Sequence, residues 1–322
     1  MRLLRSVTLF MCLVLPLSIA AGAQSFKFHS VGFVAPNAIN NSGTIAGSFC
    51  CSYVSAFDGP AQQNHGFSLQ TNGSQVFKVA EPEGGPWSFA TGIAPNGDVV
   101  GGFCPHSSSC ASGAAMHAYL FYNSSNSAGQ IDVPGAQATL AGGINRVEQI
   151  VGMFCSTTTC SLDYASSSQG FLLDHVGGTF TMINFPGALG TAATAINDAG
   201  EIVGNYSVCK GSDVESKVLQ PPCTFIQQHG FLLSGGTYTT VDPSGSIGTM
   251  LGGINNSGEI SGSYIDASSK THGFVFSSGV FTIVDYPGAS GTEVYGVNDK
   301  GQIVGSAQIA SGATENFIGS PE

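Results

Sequence analysis

The stretch "AINDAGEIVG", residues 195–204, decides the fold because the chain repeats it. It recurs as "AINNSGTIAG" (38–47), "GIAPNGDVVG" (92–101), "GINRVEQIVG" (143–152), "GINNSGEISG" (253–262) and "GVNDKGQIVG" (296–305). The second position is Ile39, Ile93, Ile144, Ile196, Ile254 and Val297, at intervals of 54, 51, 52, 58 and 43 residues. Six copies at that period mark a repeat architecture.

Four short strand signals surround each copy. One leads into the Ile-Asn pair. A turn such as "NDAG" follows, in which Asn, Asp and Gly supply the backbone angles of a tight hairpin. The second strand is "EIVGNY" or its equivalent. A variable loop then reaches "HGFLL", and a turn such as "SGG" leads into "TYTTVD". Apolar and polar residues alternate in that last strand, as on a half-buried sheet.

Four strands per repeat predict an all-β, six-bladed β-propeller. The sixth copy supplies three strands and stops near "TENFIGS", while "QSFKFHSVGF" precedes the first copy as an orphan strand. The expectation is that this N-terminal strand completes the last blade and shuts the ring, removing exposed edges. A β-solenoid is the alternative, but its rungs are usually shorter and it does not explain a split final repeat. Residues 1–23 read as a signal peptide: Arg2 and Arg5, an apolar run, then small residues up to Ala23. Residues 24–322 are read as a single six-repeat domain.

The motifs His65-Gly66-Phe67, His117-Ala118-Tyr119, His229-Gly230-Phe231 and His272-Gly273-Phe274 recur at the third strand. With these the chain resembles the bacterial exported repeats called HAF after their His-Ala-Phe-like motif. The third copy departs from the pattern with Gln169-Gly170-Phe171, the sixth with Glu315-Asn316-Phe317. The resemblance implies an exported, repetitive, bacterial protein, and it carries over no reaction and no catalytic residues.

The same histidines invite a catalytic reading, because a carboxylate lies opposite each. Folding "HGFLLSGGTYTTVD" about Gly235-Gly236 sets Phe231 against Thr240 and His229 against Asp242. The equivalent couples are His65 with Glu81, His117 with Asp132 and His272 with Asp285. Where Gln169 replaces the histidine, Asn184 replaces the acid. A histidine beside a carboxylate can serve as a general base. An enzyme needs one such couple, however, and recurrence around a ring points to a structural tie between third and fourth strands. No catalytic residue is assigned.

Charge and cysteines bound the environment. The net charge of −11 becomes −13 once Arg2 and Arg5 leave with the signal, which disfavours a nucleic-acid partner. Beyond the signal no apolar run reaches the roughly 20 residues that span a membrane, so no membrane insertion is expected after cleavage. The mature chain should be a secreted or periplasmic monomer. Eight cysteines remain, in local couples: Cys104 with Cys110, Cys155 with Cys160, Cys209 with Cys223, and the adjacent Cys50 and Cys51. An even count in an exported chain reads as disulfides. A vicinal Cys50–Cys51 bond would be strained, which leaves the pairing of those two open. No metal site and no cofactor is expected.

Function is sought where the copies differ. Trp87, the sole Trp, stands where other copies have Ala138, Gly190, Gly248 and Gly291, and it could stack on a sugar ring or plug a gap. The insertion 209–223 brings Asp213 and Glu215, which join Trp87 as candidate ligand-binding residues. The chain shows no Gly-x-Ser-x-Gly elbow, no His-Glu-x-x-His and no phosphate-binding loop. The reading is a binding or scaffold module for a cell-surface glycan or another exported protein. The alternative is a glycan hydrolase or lyase using acidic loop residues near the channel.

Overall fold

Each copy of the repeated phrase folds as a strand, a tight turn and a second strand. The computed structural model describes residues 25–50, 64–71, 77–82, 87–105, 116–157, 167–209 and 226–322. The expected signal at 1–23 lies outside the described residues, as do Cys51, Cys110, Cys160, Cys223, Asp213 and Glu215.

After β1 (Phe26–Ser30), the first blade comprises β2 (Ala35–Ile39), β3 (Thr44–Cys50), β4 (Asn64–Gln70) and β5 (Phe77–Val79). The second comprises β6 (Trp87–Ile93), β7 (Val99–Cys104), β8 (His117–Tyr122) and β9 (Ser127–Gln130). The third has β10 (Ala138–Ile144), β11 (Ile150–Cys155), β12 (Gln169–Leu173) and β13 (Phe180–Ile183). The fourth has β14 (Gly190–Ile196), β15 (Ile202–Cys209), β16 (Ile226–Ser234) and β17 (Thr237–Thr240). The fifth has β18 (Gly248–Ile254), β19 (Ile260–Ile265), β20 (Thr271–Ser277) and β21 (Val280–Val284). The chain ends with β22 (Ala289–Val297), β23 (Ile303–Ile309) and β24 (Thr314–Pro321).

Every sheet is antiparallel and four-stranded, and the last runs β1-β24-β23-β22. The N-terminal strand therefore completes the sixth blade, with Phe28 opposite Gly319. Phe28 also meets Phe317 edge-on, with ring centroids 5.0 Å apart. At the seam, Ile39 and Ile45 of the first blade share a core with Val304 and Ile318 of the sixth. The architecture is a closed six-bladed β-propeller, and the solenoid alternative falls.

Why the phrase folds this way is visible in the fourth blade. Ile196 pairs with Ile202 across the turn. Asn197 Oδ1 accepts the N–H groups of Ala199 (3.1 Å) and Glu201 (3.0 Å), which winds the loop tightly. Gly200 then takes φ +79°, the left-handed region that costs a glycine nothing sterically. In the third blade the same role falls on Glu148, at φ +62°.

The closing glycine of the phrase serves packing instead. Gly204 lies opposite Phe231, and a Cβ there would sit 2.1 Å from the Ala192 carbonyl oxygen and 2.8 Å from the Phe231 ring. The missing side chain makes room for the aromatic. Phe67, Tyr119, Phe171, Phe231, Phe274 and Phe317 hold this position in the six blades, and all are fully buried. Burial of each contributes about 1.5–3 kcal/mol. Cores then form between neighbouring blades: Val151 and Ile183 of the third pack with Ile196, Ile202 and Phe231 of the fourth.

Second strands end and third strands begin at one end of the ring, the loop end, where the blade-to-blade connections also run; first strands turn into second strands at the other, the turn end.

Candidate binding site in the central channel

The histidine–acid couples are hydrogen-bonded ties between third and fourth strands. His65 Nδ1 lies 2.9 Å from Glu81, His117 Nδ1 2.5 Å from Asp132, His229 Nδ1 2.6 Å from Asp242 and His272 Nδ1 2.9 Å from Asp285. A carboxylate only accepts, so each Nδ1 carries the proton it donates. The other aspartate oxygen takes a main-chain N–H, from Ala118 in one blade and Gly230 in another, both at 3.1 Å. In the first blade the longer Glu81 reaches the Ser88 hydroxyl, which in turn accepts the Gly66 N–H at 2.9 Å.

Each imidazole also lies over a ring from the second strand. The centroid distances are 5.5 Å for Phe49–His65, 5.5 Å for Phe103–His117, 5.2 Å for Tyr206–His229 and 5.2 Å for Tyr264–His272. These side chains are half-buried rather than fully buried, at 21% exposure for His229 and 20% for Asp242. In the third blade, where Gln169 replaces the histidine, its amide donates to Ser156 at 3.3 Å. Among the described residues, His272 alone of the four has a partner at its second nitrogen, 3.4 Å from Asp266. The Ser268 hydroxyl and the Lys270 N–H hold the Asp266 carboxyl down at about 2. These couples tie strands within one blade, and none of the four histidines lines the channel cavities.

The blades themselves are linked by the turn asparagines. Asn145 Nδ2 donates to the carbonyl of Asn197 (3.1 Å), Asn197 to Asn255 (3.1 Å), Asn255 to Asn298 (2.9 Å) and Asn298 to Asn40 (3.0 Å). Asn40 continues to the Ala94 carbonyl at 3.1 Å. Ala94 has no side-chain amide, so the second blade makes no asparagine link of this kind to the third. Turn chemistry alone does not convey this second duty: one amide winds its own hairpin and also clasps the next blade.

A third regularity opens the channel. Each innermost strand shifts register two positions before the anchoring Ile or Val, and β22 shifts a second time at Ser290. The six bulged residues are Asn37, Thr91, Gly142, Thr194, Gly252 and Tyr295. A bulge re-aims its side chain, and here all six line the waist shared by two axial cavities. Asn37 donates to the Ala90 carbonyl (2.7 Å), Thr91 to Ala141 (2.6 Å) and Thr194 to Leu251 (3.0 Å), so these residues also bind blade to blade. Gly252 lets the chain pass Tyr295, whose carbonyl oxygen would stand 2.3 Å from an added Cβ.

Below the waist, toward the turn end, the space is about 70 Å³. Above it lies a cavity of about 440 Å³, within the range of small-molecule sites. Its walls are largely apolar, with Phe89, Leu140, Met153, Met250 and Leu251 contributing. Glu293 is the one carboxylate among the described residues lining it. The Tyr295 hydroxyl donates to Glu293 Oε2 at 2.5 Å and meets the Ser306 hydroxyl at 2.7 Å. Burial first, and the Glu293 charge second, push the Tyr295 phenol far up, so it stays a protonated donor.

Trp87 begins β6 at the loop end and packs edge-on against Phe89, with centroids 5.1 Å apart. It does not line the cavity itself; Phe89, two residues along the same face, does. Cys104, Cys155 and Cys209 end the second strands of three blades, with Cys104 and Cys155 buried. The sequence reading missed Glu293, Tyr295, Phe89 and Met250. Their signal was position: two and four residues before the anchor, where copies differ in side chain while the flanking phrase stays constant.

No family model matches the chain, and no curated protein does by sequence. Solved structures do match by shape. The β-propeller domain of the Trilobed protease from Pyrococcus furiosus matches at TM-score 0.48 and 11% identity, over 91% of this chain and 84% of that one. TolB from Acinetobacter baumannii matches at 0.51 and 12%, over 87% of this chain and 63% of TolB, so the chain spans less than two thirds of that protein. An arginine-to-alanine mutant of AofleA from Arthrobotrys oligospora matches at 0.50 and 10%, over 93% and 88%. At such identities the likeness bears on fold alone. Among the described residues, no helix is long and apolar enough to cross a membrane.

Proposed function

We propose that this chain is an exported binding or scaffold module that engages its partner at the loop end of the propeller. The partner is a cell-surface glycan or another exported protein, and the setting is outside the cytoplasm, in keeping with the signal-like N-terminus and the HAF-type motifs. The observation that carries the reading is the channel itself. A preformed, mostly apolar cavity opens there with one carboxylate among its described lining residues. Glycoside cleavage by the usual route needs two carboxyl groups flanking the scissile bond, and the cavity brings one. The histidine–acid couples are spent on fastening strands.

Disulfides belong to this reading. Cys104 with Cys110, Cys155 with Cys160 and Cys209 with Cys223 would brace the long loops of the binding end and reduce the entropy lost on ordering them. Its support is that Cys104, Cys155 and Cys209 do not stand as free thiols.

The test is a glycan array and a capture assay against exported proteins, run on the mature protein and on Trp87→Ala. Retention of a defined glycan or protein partner by the mature protein, weakened at least about tenfold in Trp87→Ala, is expected, since tenfold is about 1.4 kcal/mol and within reach of one aromatic contact. Turnover of a glycan by the purified protein would overturn the reading.

A further inference from the structure

The wide cavity contains a polar group that the fold leaves unspent. Most polar side chains of its wall already serve the scaffold. Asn37, Thr91 and Thr194 donate to main-chain carbonyls of the next blade. Asn205 is used at both ends, donating to the Leu251 carbonyl at 3.2 Å and accepting its N–H at 2.7 Å. Glu293 differs. Its carboxylate takes the Tyr295 hydroxyl and no ion pair among the described residues. A carboxylate has about four acceptor positions, so several remain open toward the cavity.

The wall facing that carboxylate across the channel is apolar and adaptable. Leu140, Met153 and Ala192, of the third and fourth blades, form one small core, with Phe89 and Met116 of the second packed against it. Met250 stands on the fifth blade, beside that of Glu293, and is 45% exposed. Thioether and phenyl surfaces suit a compact apolar body, and a ring face also attracts a cation. The chain as a whole carries a net charge of −11, which draws cations toward the mouth and repels anions.

We propose that the wide cavity binds a small amphipathic monocation, its ammonium group on Glu293 beside Tyr295 and its apolar body against Phe89, Leu140, Met153 and Met250. The proposal rests on the binding-module reading and names the ligand chemistry of that site. Tyr295 acts as a positioning residue: its hydroxyl, braced by Ser306, fixes one carboxylate oxygen and leaves the other directed to the ligand.

Calorimetry with three probes tests this on the mature protein: phenethylamine, 3-phenylpropionate and neutral 2-phenylethanol. Emission of Trp87, the sole Trp, gives a second readout because it packs on Phe89 of the cavity wall. Phenethylamine should saturate one site per chain, 3-phenylpropionate should not bind, and Glu293→Gln should weaken the amine at least about tenfold. Thermal melting of Glu293→Gln, unchanged, shows that the loss is local. Met250→Lys, which places a tethered ammonium at the mouth, should also abolish amine binding. Equal binding of amine and acid, or full amine affinity in Glu293→Gln, overturns the proposal while the cavity stays a binding site. Silence from all three probes overturns it as well, and joined to an empty array and capture assay it takes the binding-module reading with it.

Discussion

Asp242 and His229 show how a chemically suggestive couple becomes a fastening. The 2.6 Å bond joins β16 to the segment following β17, and the Tyr206 ring covers the imidazole. His229→Ala removes a charge-assisted bond from a half-buried carboxylate. The expected cost is about 1–2 kcal/mol of stability, read as a lower melting temperature, with any ligand affinity unchanged. A melt equal to the parent would show that the couple is ornamental. Glu148 is the converse case, a side chain where the backbone asks for none. Its φ of +62° is the angle that Gly200 and its counterparts take without strain. Glu148→Gly should therefore raise stability by roughly 1 kcal/mol, the left-handed penalty less the entropy of a freer unfolded chain. Denaturant titration measures it.

At the scale of elements, the hairpins were legible and their mutual attachment was not. The turn at Gly235-Gly236 sets Phe231 against Thr240, and the structure has that pair. Local chemistry suffices for that, because partners lie a few residues apart. The asparagine links join residues 43 to 58 positions apart, or 258 across the seam. The six bulged positions hold Asn, Thr, Gly and Tyr, so no single residue type marks them. Both features exist only once six blades share an axis, so no window of sequence contains them. Asn197→Ala tests the double role: it strips from the turn the two bonds accepted by Oδ1 and the one that Nδ2 donates to Glu201, and one more from the neighbouring blade. A loss of about 2–3 kcal/mol is expected from four bonds, one buried and three partly exposed. A loss near 0.5 kcal/mol, the scale of an exposed turn, would mean the link between blades contributes nothing.

At the scale of the whole molecule, cavity and closure depend on each other. The wide cavity is bounded by Phe89, Leu140, Met250 and Glu293, which come from four different blades, and its waist by one bulged residue from each of six. If the last blade opened, Tyr295 and Asn37 would separate and the site would lose its wall. Closure in turn hangs on five residues at the N-terminal edge, Phe26–Ser30, held by β24 and by the Phe28–Phe317 contact. The six-fold repeat of four strand signals already favoured an all-β ring, and the split last copy placed the seam. Which side chains would face the axis was not readable, because that depends on the bulge in each inner strand.

Amide hydrogen exchange across that seam is the most direct test of this account. The ring closed by β1 predicts that the amides of 26–30 bonded to β24 are protected and lose that protection together with the amides of 317–320 as denaturant is raised. Exchange of every amide of 26–30 at the rate of an unstructured peptide, with 317–320 still protected, would contradict the closed propeller and the cavity that depends on it.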